Sequence, residues 1–541
     1  MSTNYSPFKP PLKSVAKTSA TISGELDGAL PYDALNTIVK DYLIPQVLGY
    51  SSGENQILSL PFLKMRFVQF DEYSNALAKQ LNYPGHPETR LAYLDSGFSQ
   101  AILLCNLLFQ NEGTLKPFRE DVGIEALQEF RVIIRRSIPI SKEQVNAFDL
   151  LDDDQRRERQ HRIVAEAKKR GESDSEIRQS MDEWIRSEII KGNPALSETD
   201  EIGGGRYRLN LTKLLEGDER SFLAVSALTR CATLHYVEEA TDTLVLDYWV
   251  NDATKQAFLE NFDHDPLVLF QALQVLLTLN QFAVSDSLKA DLYQSDSLYA
   301  SETVPILASD ERIMRFKHFW VKKANVAKSV LLKSFSDGEH QLLHTLGLCL
   351  LFKNTQSLFL LDEPETHFNP DWRANFVTRL HQSFNGSDGQ EMLITTHNPF
   401  LISDSRPEKV LVFNKSNGVV SVGYPDYNTM GASINKITMA TFGKRETIGL
   451  RAQGMLDDFR ERSKDANENQ EQLIAEINHQ LGDSVEKVLL IKTILDVGAD
   501  NGHREKPRQN KILHNIIKLM KRFIPQKRGV FEVPNGGEGQ D

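Results

Sequence analysis

Ser357-Leu358-Phe359-Leu360-Leu361-Asp362-Glu363-Pro364 is an apolar run of buried-strand length that ends abruptly in two acids and a proline. Proline cannot continue a central ladder, so Pro364 stops the strand and leaves both carboxylates at its carboxyl end. There Asp362 is placed to hold Mg²⁺ directly or through water, and Glu363 to orient or deprotonate an attacking water. Upstream, Ser334-Phe335-Ser336-Asp337-Gly338-Glu339-His340-Gln341 precedes an apolar run from Leu342 to Phe352 that reads as a helix. Ser336, Gly338 and Glu339 stand at its start, where free backbone N–H groups and the positive end of the dipole favour a phosphate. Downstream, Glu391-Met392-Leu393-Ile394-Thr395-Thr396-His397-Asn398-Pro399 is a second short strand, and His397 at its end is placed to contact a terminal phosphate or polarise water beside Glu363.

Taken singly, each segment has an ordinary reading. A strand ending in Asp-Glu can be a solvated turn, and a lone histidine more often satisfies a local hydrogen bond. Their order and spacing count for more: 362 − 336 = 26 and 397 − 362 = 35 residues separate the three, so two strands can flank one site. The set resembles the ABC-type ATPase core shared by the RecF, SMC and OLD-like families. Phe335 to Glu339 looks like the signature motif, Leu358 to Glu363 like Walker B, and His397 like the H-loop histidine. Glu365-Thr366-His367-Phe368-Asn369-Pro370 looks like the Glu-x-His-x-x-Pro D-loop of OLD-like ATPases. The resemblance implies an α/β P-loop NTPase fold, ATP and Mg²⁺ as cofactors, and a homodimer or higher oligomer whose subunits close head to tail.

One part of that pattern is missing. Backbone N–H groups and a lysine from a Gly-x-x-x-x-Gly-Lys-Ser/Thr loop normally cradle the phosphates, and no such run occurs in the 541 residues. Gly24 to Gly28 lacks the lysine, and Gly443-Lys444-Arg445 has neither the earlier glycine nor the following hydroxyl. Either the chain is an N-terminally shortened form, the favoured expectation, or it is a degenerate member. The stretch Leu48-Gly49-Tyr50-Ser51-Ser52-Gly53-Glu54-Asn55-Gln56, followed by an apolar helix-like run to Phe67, reads as a nucleotide-side loop or an inter-lobe contact. Gln100, which opens the apolar helix Ala101 to Phe109, is a candidate Q-loop glutamine, against the ordinary reading of a polar cap.

Composition bounds the rest. A chain of this length holds two or three structural units, and 40% hydrophobic with 25% charged residues is globular. A formal charge of −12 argues against coating nucleic acid through the overall field, so basic patches matter individually. No apolar run is expected to reach bilayer-spanning length, and Met1-Ser2-Thr3-Asn4-Tyr5 does not begin a signal peptide, so the expected location is cytoplasmic and off the membrane. Cys105, Cys231 and Cys349 are odd in number and far apart, which points to reduced core residues.

The expected organisation is the remainder of ATPase lobe I over 1–129, a charged helical insertion over 130–202 and a mixed region over 203–329. ATPase lobe II follows over 330–430, then a helical C-terminal region over 431–541. Helices are expected at Tyr32 to Leu43, Pro266 to Phe282 and around Arg312 to Lys328, with strands at Cys231 to Tyr236 and Thr243 to Val250. Arg312, Arg315, Lys317, Lys322 and Lys323, interleaved with Phe316, Phe319 and Trp320, form a candidate nucleic-acid patch, set against a face whose aromatics point inward. The segment His503 to Arg528, nine basic residues against Glu505, reads as a basic amphipathic helix that docks a partner protein or nucleic acid.

Over most of its length the sequence resembles the restriction- and retron-associated ATPases of the Septu type, the PtuA family. That resemblance implies an antiviral (antiphage) defence complex with an HNH endonuclease subunit and, in retron systems, a reverse transcriptase with its msDNA. Two other readings stand beside it: a catalytically inactive ABC-like scaffold, and a RecF-like DNA-repair ATPase.

Overall fold

The apolar run at 357 is a strand, and its neighbours explain why both its faces are apolar. The structure is a computed structural model that describes residues 46–52, 56–81, 83, 91–199, 207–284, 286–294, 307–384, 390–444, 448–465 and 468–500. The chain divides into two units, residues 1–401 and 402–541.

The first unit opens with β1 (Gln46–Ser51), α1 (Gln56–Ala78), β2 (Leu91–Tyr93) and α2 (Ser99–Phe109). Then come β3 (Ile124–Arg135), β4 (Ser137–Ile140), α3 (Asp153–Lys169), α4 (Asp174–Gly192), β5 (Leu196–Glu198) and β6 (Tyr207–Asn210). They are followed by α5 (Glu219–Cys231), β7 (Leu234–Glu238), β8 (Thr243–Trp249), α6 (Pro266–Thr278), β9 (Met314–Lys323) and β10 (Val330–Leu331). The unit closes with α7 (Asp337–Leu351), β11 (Ser357–Asp362), α8 (Pro370–Ser383) and β12 (Gln390–Thr395).

A parallel sheet in the order β12-β11-β1-β2 carries the site. Its register sets Ser51 beside Asp362 and Asp362 beside Thr395, so three strands end level. Parallel strands are covered on both faces, which is why β1 and β11 read as nearly unbroken apolar runs. Helix α7 packs against α2 and α8 and is buried from Gly338 to Leu351 except at Glu339 and His340. Leu342, Leu343, Leu346, Leu348, Leu350 and Leu351 each gain about 1.5–3 kcal/mol by leaving water. The two core helices touch through Gly347: a Cβ there would lie 2.9 Å from Ile102, and Asn106 donates to the Gly347 carbonyl at 3.0 Å.

An antiparallel sheet, β10-β9-β3-β8-β7, lies in the same unit, with Phe130 and Tyr248 stacked at 4.3 Å in its core. Here the structure corrects the helix expected around Arg312 to Lys328, because residues 314–323 are strand β9. Its alternation is broken by His318, at φ +51°, where the register against β3 slips. The inward side chain therefore steps from Phe316 to Phe319, a spacing of three that imitates a helix. The basic-aromatic patch resolves toward an inward aromatic face: Phe316 and Phe319 are buried, Lys322 pairs with Glu125 at 3.0 Å, and Lys323 bonds Glu339.

Within 130–202, β3 crosses residue 130, and the charged stretch beyond it holds α3 and α4, each opened by a capping box at Asp152 and Ser173. Strands β4, β6 and β5 form a small sheet beside them in sequence. Contrary to the expectation for apolar runs, Pro266–Ala283 has the length and apolarity to cross a bilayer, but 67% of it is buried inside the protein, as a core helix requires. All three cysteines are free and buried. The expected helix at Tyr32 to Leu43, the Gly203-Gly204-Gly205 joint and the basic segment His503 to Arg528 lie outside the described residues.

Among the described residues, the second unit contains a hairpin of β13 (Val412–Ser416) and β14 (Val419–Gly423), the short helix Ile434–Ala440 and three longer helices, α9 (Leu450–Arg462), α10 (Gln470–Gln480) and α11 (Val485–Asp500). Leu456, Phe459, Leu473, Ile477, Leu490 and Ile494 form its small core.

Candidate functional site

Three strands deliver side chains to one place. Asp362 ends β11, and its carboxylate accepts the Ser51 hydroxyl from β1 at 3.1 Å and the Thr395 hydroxyl from β12. Both partners follow from the register, which puts them level with Asp362. Glu363, the next residue, sits at φ +46°, uncommon outside glycine and typical of strained functional turns. The strain is held by its own N–H, which donates to the Thr395 carbonyl at 3.0 Å, and by the Gln341 amide and Thr366 hydroxyl, which donate to its carbonyl at 3.3 and 2.9 Å. Its half-exposed carboxylate lies 3.4 Å from Nε2 of His397, whose side chain is 83% exposed. The structure therefore brings together Asp362, Glu363 and His397 at the carboxyl edge of the sheet, where open α/β sheets bind ligands.

The residues at the start of α7 form a second cluster. Ser336 caps the helix: its hydroxyl accepts from the Glu339 N–H at 3.3 Å, and Glu339 returns the bond to the Ser336 N–H at 2.9 Å. Burial works against the Glu339 charge, but Lys323 and the two Ser336 bonds outweigh it and hold the carboxyl below its usual range. Lys323 also lies over the Phe335 ring at 4.4 Å. Gly338 has a packing reason to be glycine, since a Cβ would stand 2.6 Å from the His367 carbonyl. Gln341, 4% exposed, ties the clusters together by donating to the Glu363 carbonyl and accepting from the His367 N–H at 2.8 Å. Gln100, half-buried at the start of α2, makes no hydrogen bond to Asp362, Glu363 or His397 and is not brought into this cluster.

Sequence reasoning gave no individual role to Ser51, Thr395 or Gln341, and read Glu365 only as part of the D-loop-like run Glu365 to Pro370. Glu365 is 3% exposed, takes the Thr396 hydroxyl on one oxygen and has no partner for the other, and burial pushes its carboxyl up. The signal for Ser51 was available: Leu48-Gly49-Tyr50-Ser51-Ser52 is a strand-to-loop run like the one ending at Asp362. Only pairing shows that the two are neighbours.

The donor set suits a magnesium ion carried by a nucleotide. Mg²⁺ is commonly held by one or two carboxylates, with phosphates and water completing its octahedron, and Asp362 with two flanking hydroxyls offers that first ligand. Among the described residues no group of three His, Cys, Asp or Glu side chains could hold a metal ion, so an all-protein cage is not offered there. Lys323, beside the helix start, is engaged by Glu339 and is not poised for phosphate.

No curated protein matches the chain. The profile of the family described as "AAA domain, putative AbiEii toxin, Type IV TA system" matches residues 116–403. This span is 403 − 116 + 1 = 288 of 541 residues, just over half, and it contains α7, both strand-end acids and His397. With a parallel α/β sheet carrying Asp362, Glu363 and His397 at its carboxyl edge, the chain belongs to this AAA-domain family of P-loop-like ATPases.

Proposed function

We propose that the chain is the ATPase subunit of an antiviral defence complex, in which nucleotide-dependent closure of two subunits controls a partner nuclease. The observation that carries the proposal is the shared end of three parallel strands, where Asp362 and Glu363 stand beside His397 and are tied through Gln341 to the start of α7. Mg²⁺–ATP, when bound, would supply an electrophilic γ-phosphate and a metal charge that offsets the negative charge on its oxygens. Asp362 would hold that metal, its carboxylate fixed by the hydroxyls of Ser51 and Thr395. Glu363 accepts a proton from water or orients it, and His397 holds the Glu363 carboxylate from the exposed side. The first turn of α7 presents the N–H groups of Asp337 and Gly338 toward an anion, which fits a face that meets a second subunit's phosphates.

The family description supports an abortive-infection setting, and the resemblance to PtuA supports an HNH endonuclease as partner, with a reverse transcriptase and msDNA in a retron form. A second reading, a scaffold that keeps the fold without turnover, is favoured by one fact: no Gly-x-x-x-x-Gly-Lys-Ser/Thr run occurs in the 541 residues.

The test uses the complex isolated from its host. Glu363→Gln keeps size but removes the base, so hydrolysis should fall by roughly two orders of magnitude or more while Mg²⁺–ATP binding survives. Asp362→Asn should weaken Mg²⁺-dependent binding itself. If both variants turn over ATP like the parent, the strand-end assignment is wrong; if the parent binds nucleotide without turnover, the scaffold reading takes its place.

A further inference from the structure

We propose that Glu365 is a positioning residue: from its buried place in the turn after β11 it fixes, through the Thr396 hydroxyl, where His397 stands beside Glu363. This role rests on the reading of Glu363 and His397 as acting on Mg²⁺–ATP, and extends it to a side chain that acts only through His397.

Strands β11 and β12 are paired as far as Asp362 and Thr395. Glu363 and His397 stand beyond that pair, where the ladder no longer sets the distance between the two turns. At the level of the last pair the turns are tied by the Glu363 N–H, which donates to the Thr395 carbonyl at 3.0 Å, and by the Thr395 hydroxyl, which donates to Asp362. A further bond lies beyond it: the Thr396 hydroxyl donates to Oε1 of Glu365. That same hydroxyl accepts the Asn398 N–H at 2.8 Å, and Oδ1 of Asn398 accepts the Phe400 N–H at 3.1 Å. His397 is thus bracketed by Thr396 and Asn398, and one hydroxyl joins both to Glu365.

The support on the other side is rigid. In the turn that carries Glu365, the Thr366 N–H donates to the Glu363 carbonyl at 3.2 Å and the Phe368 N–H to the Glu365 carbonyl at 3.1 Å, while Arg373 of α8 donates to the Thr366 carbonyl at 2.5 Å. Glu365 is 3% exposed, and Oε2, its second oxygen, is buried without a hydrogen-bond partner. A half-satisfied buried acid destabilises a fold relative to an apolar side chain of similar size. Rules of this kind are broken where a site needs it, and the need here is an acceptor that reaches the His397 turn. The His397 side chain, 83% exposed and 3.4 Å from Glu363, draws little fixing from packing.

Isotopic labelling of histidine Cε1 in the purified 541-residue chain gives an NMR readout that needs no turnover. The His397 signal, identified by its loss in His397→Ala, should move when Glu363→Gln is introduced into the parent. In Glu365→Met, which keeps the length but removes the acceptor, the same replacement should leave the signal almost unmoved. Glu365→Gln retains an acceptor oxygen and should keep the response, as should Thr396→Ser but not Thr396→Val. In the complex isolated from its host, Glu365→Met should lower kcat about tenfold or more with KM little changed, and should add nothing in a His397→Ala background. A His397 signal indifferent to Glu363→Gln in the parent, or one that responds as strongly in Glu365→Met, overturns the proposal. So does a kcat loss that adds fully to that of His397→Ala. If Glu365→Met does not fold, Thr396→Val breaks the same bond from the other side and is judged by the same outcomes. Failure of the Mg²⁺–ATP reading looks different: a parent without turnover whose His397 signal still depends on Glu365 supports the placement and removes the hydrolysis.

Discussion

Gly338 was read from the sequence as a residue that lets phosphate approach a helix start. The structure gives it a different neighbour, the His367 carbonyl in the turn that follows the strand-end acids. With 2.6 Å between that oxygen and an added Cβ, Gly338→Ala must push the turn away from α7 or tilt the helix, at about 1–3 kcal/mol. The expected outcome is a lower Tm together with weaker coupling between the α7 start and Glu363, measured by thermal unfolding and by nucleotide binding. An unchanged Tm would place the glycine's role in ligand contact after all. His344 makes a second claim at this scale. It stacks on Tyr50 at 4.4 Å, and burial pushes its pKa down to about 4, against a smaller upward pull from the Leu94 carbonyl. The unfolded chain therefore binds a proton here that the folded chain refuses between pH 6.5 and about 4. Stability present above pH 6.5 is lost as the pH falls through that window, by up to roughly 3 kcal/mol from this group. Denaturant melts of parent and His344→Gln from pH 4 to 7 should show a shallower pH slope for the variant; parallel slopes would contradict the assignment.

Among the elements, β9 shows how a strand conceals itself. Its inward residues are Met314, Phe316, Phe319 and Val321, and the step of three arises at the bulge where His318 takes φ +51°. Histidine tolerates that conformation better than a β-branched residue does. His318→Val should cost about 1–2 kcal/mol, and His318→Gly should be near neutral, as measured by urea unfolding. Equal losses in the two would mean that the imidazole, not the backbone, matters there. Helix α7 was easier to read because every level of its sequence agrees: Ser336 and Glu339 form a capping box, and the run behind them is apolar enough to be buried nearly all round. Strand β1 was harder. Its Gly49 has a local reason, since a Cβ would lie 2.8 Å from the Phe62 ring of α1, but nothing local says that β1 sits between β2 and β11.

For the whole molecule the governing fact is that the strand-end acids, the histidine and the α7 start occur without a phosphate-loop lysine in the 541 residues. Without that lysine and its backbone cradle, the purified chain should bind ATP weakly and turn it over negligibly by itself. Calorimetry with Mg²⁺–ATP and a steady-state phosphate assay check this; tight binding with sustained hydrolysis would show that other residues complete the site. The sequence by itself determined the α/β class, the acids at a strand end, the capped helix and the histidine. Each is a local pattern, in which apolar periodicity, a proline stop or a cap declares its own conformation within a few residues. Only the tertiary structure decided what those patterns face. Strand order and register are set by packing between segments more than 300 residues apart, as when Ser51 meets Asp362, and no local signal encodes that pairing. The same holds for Gly338 against His367 and for Gln341 bridging two turns.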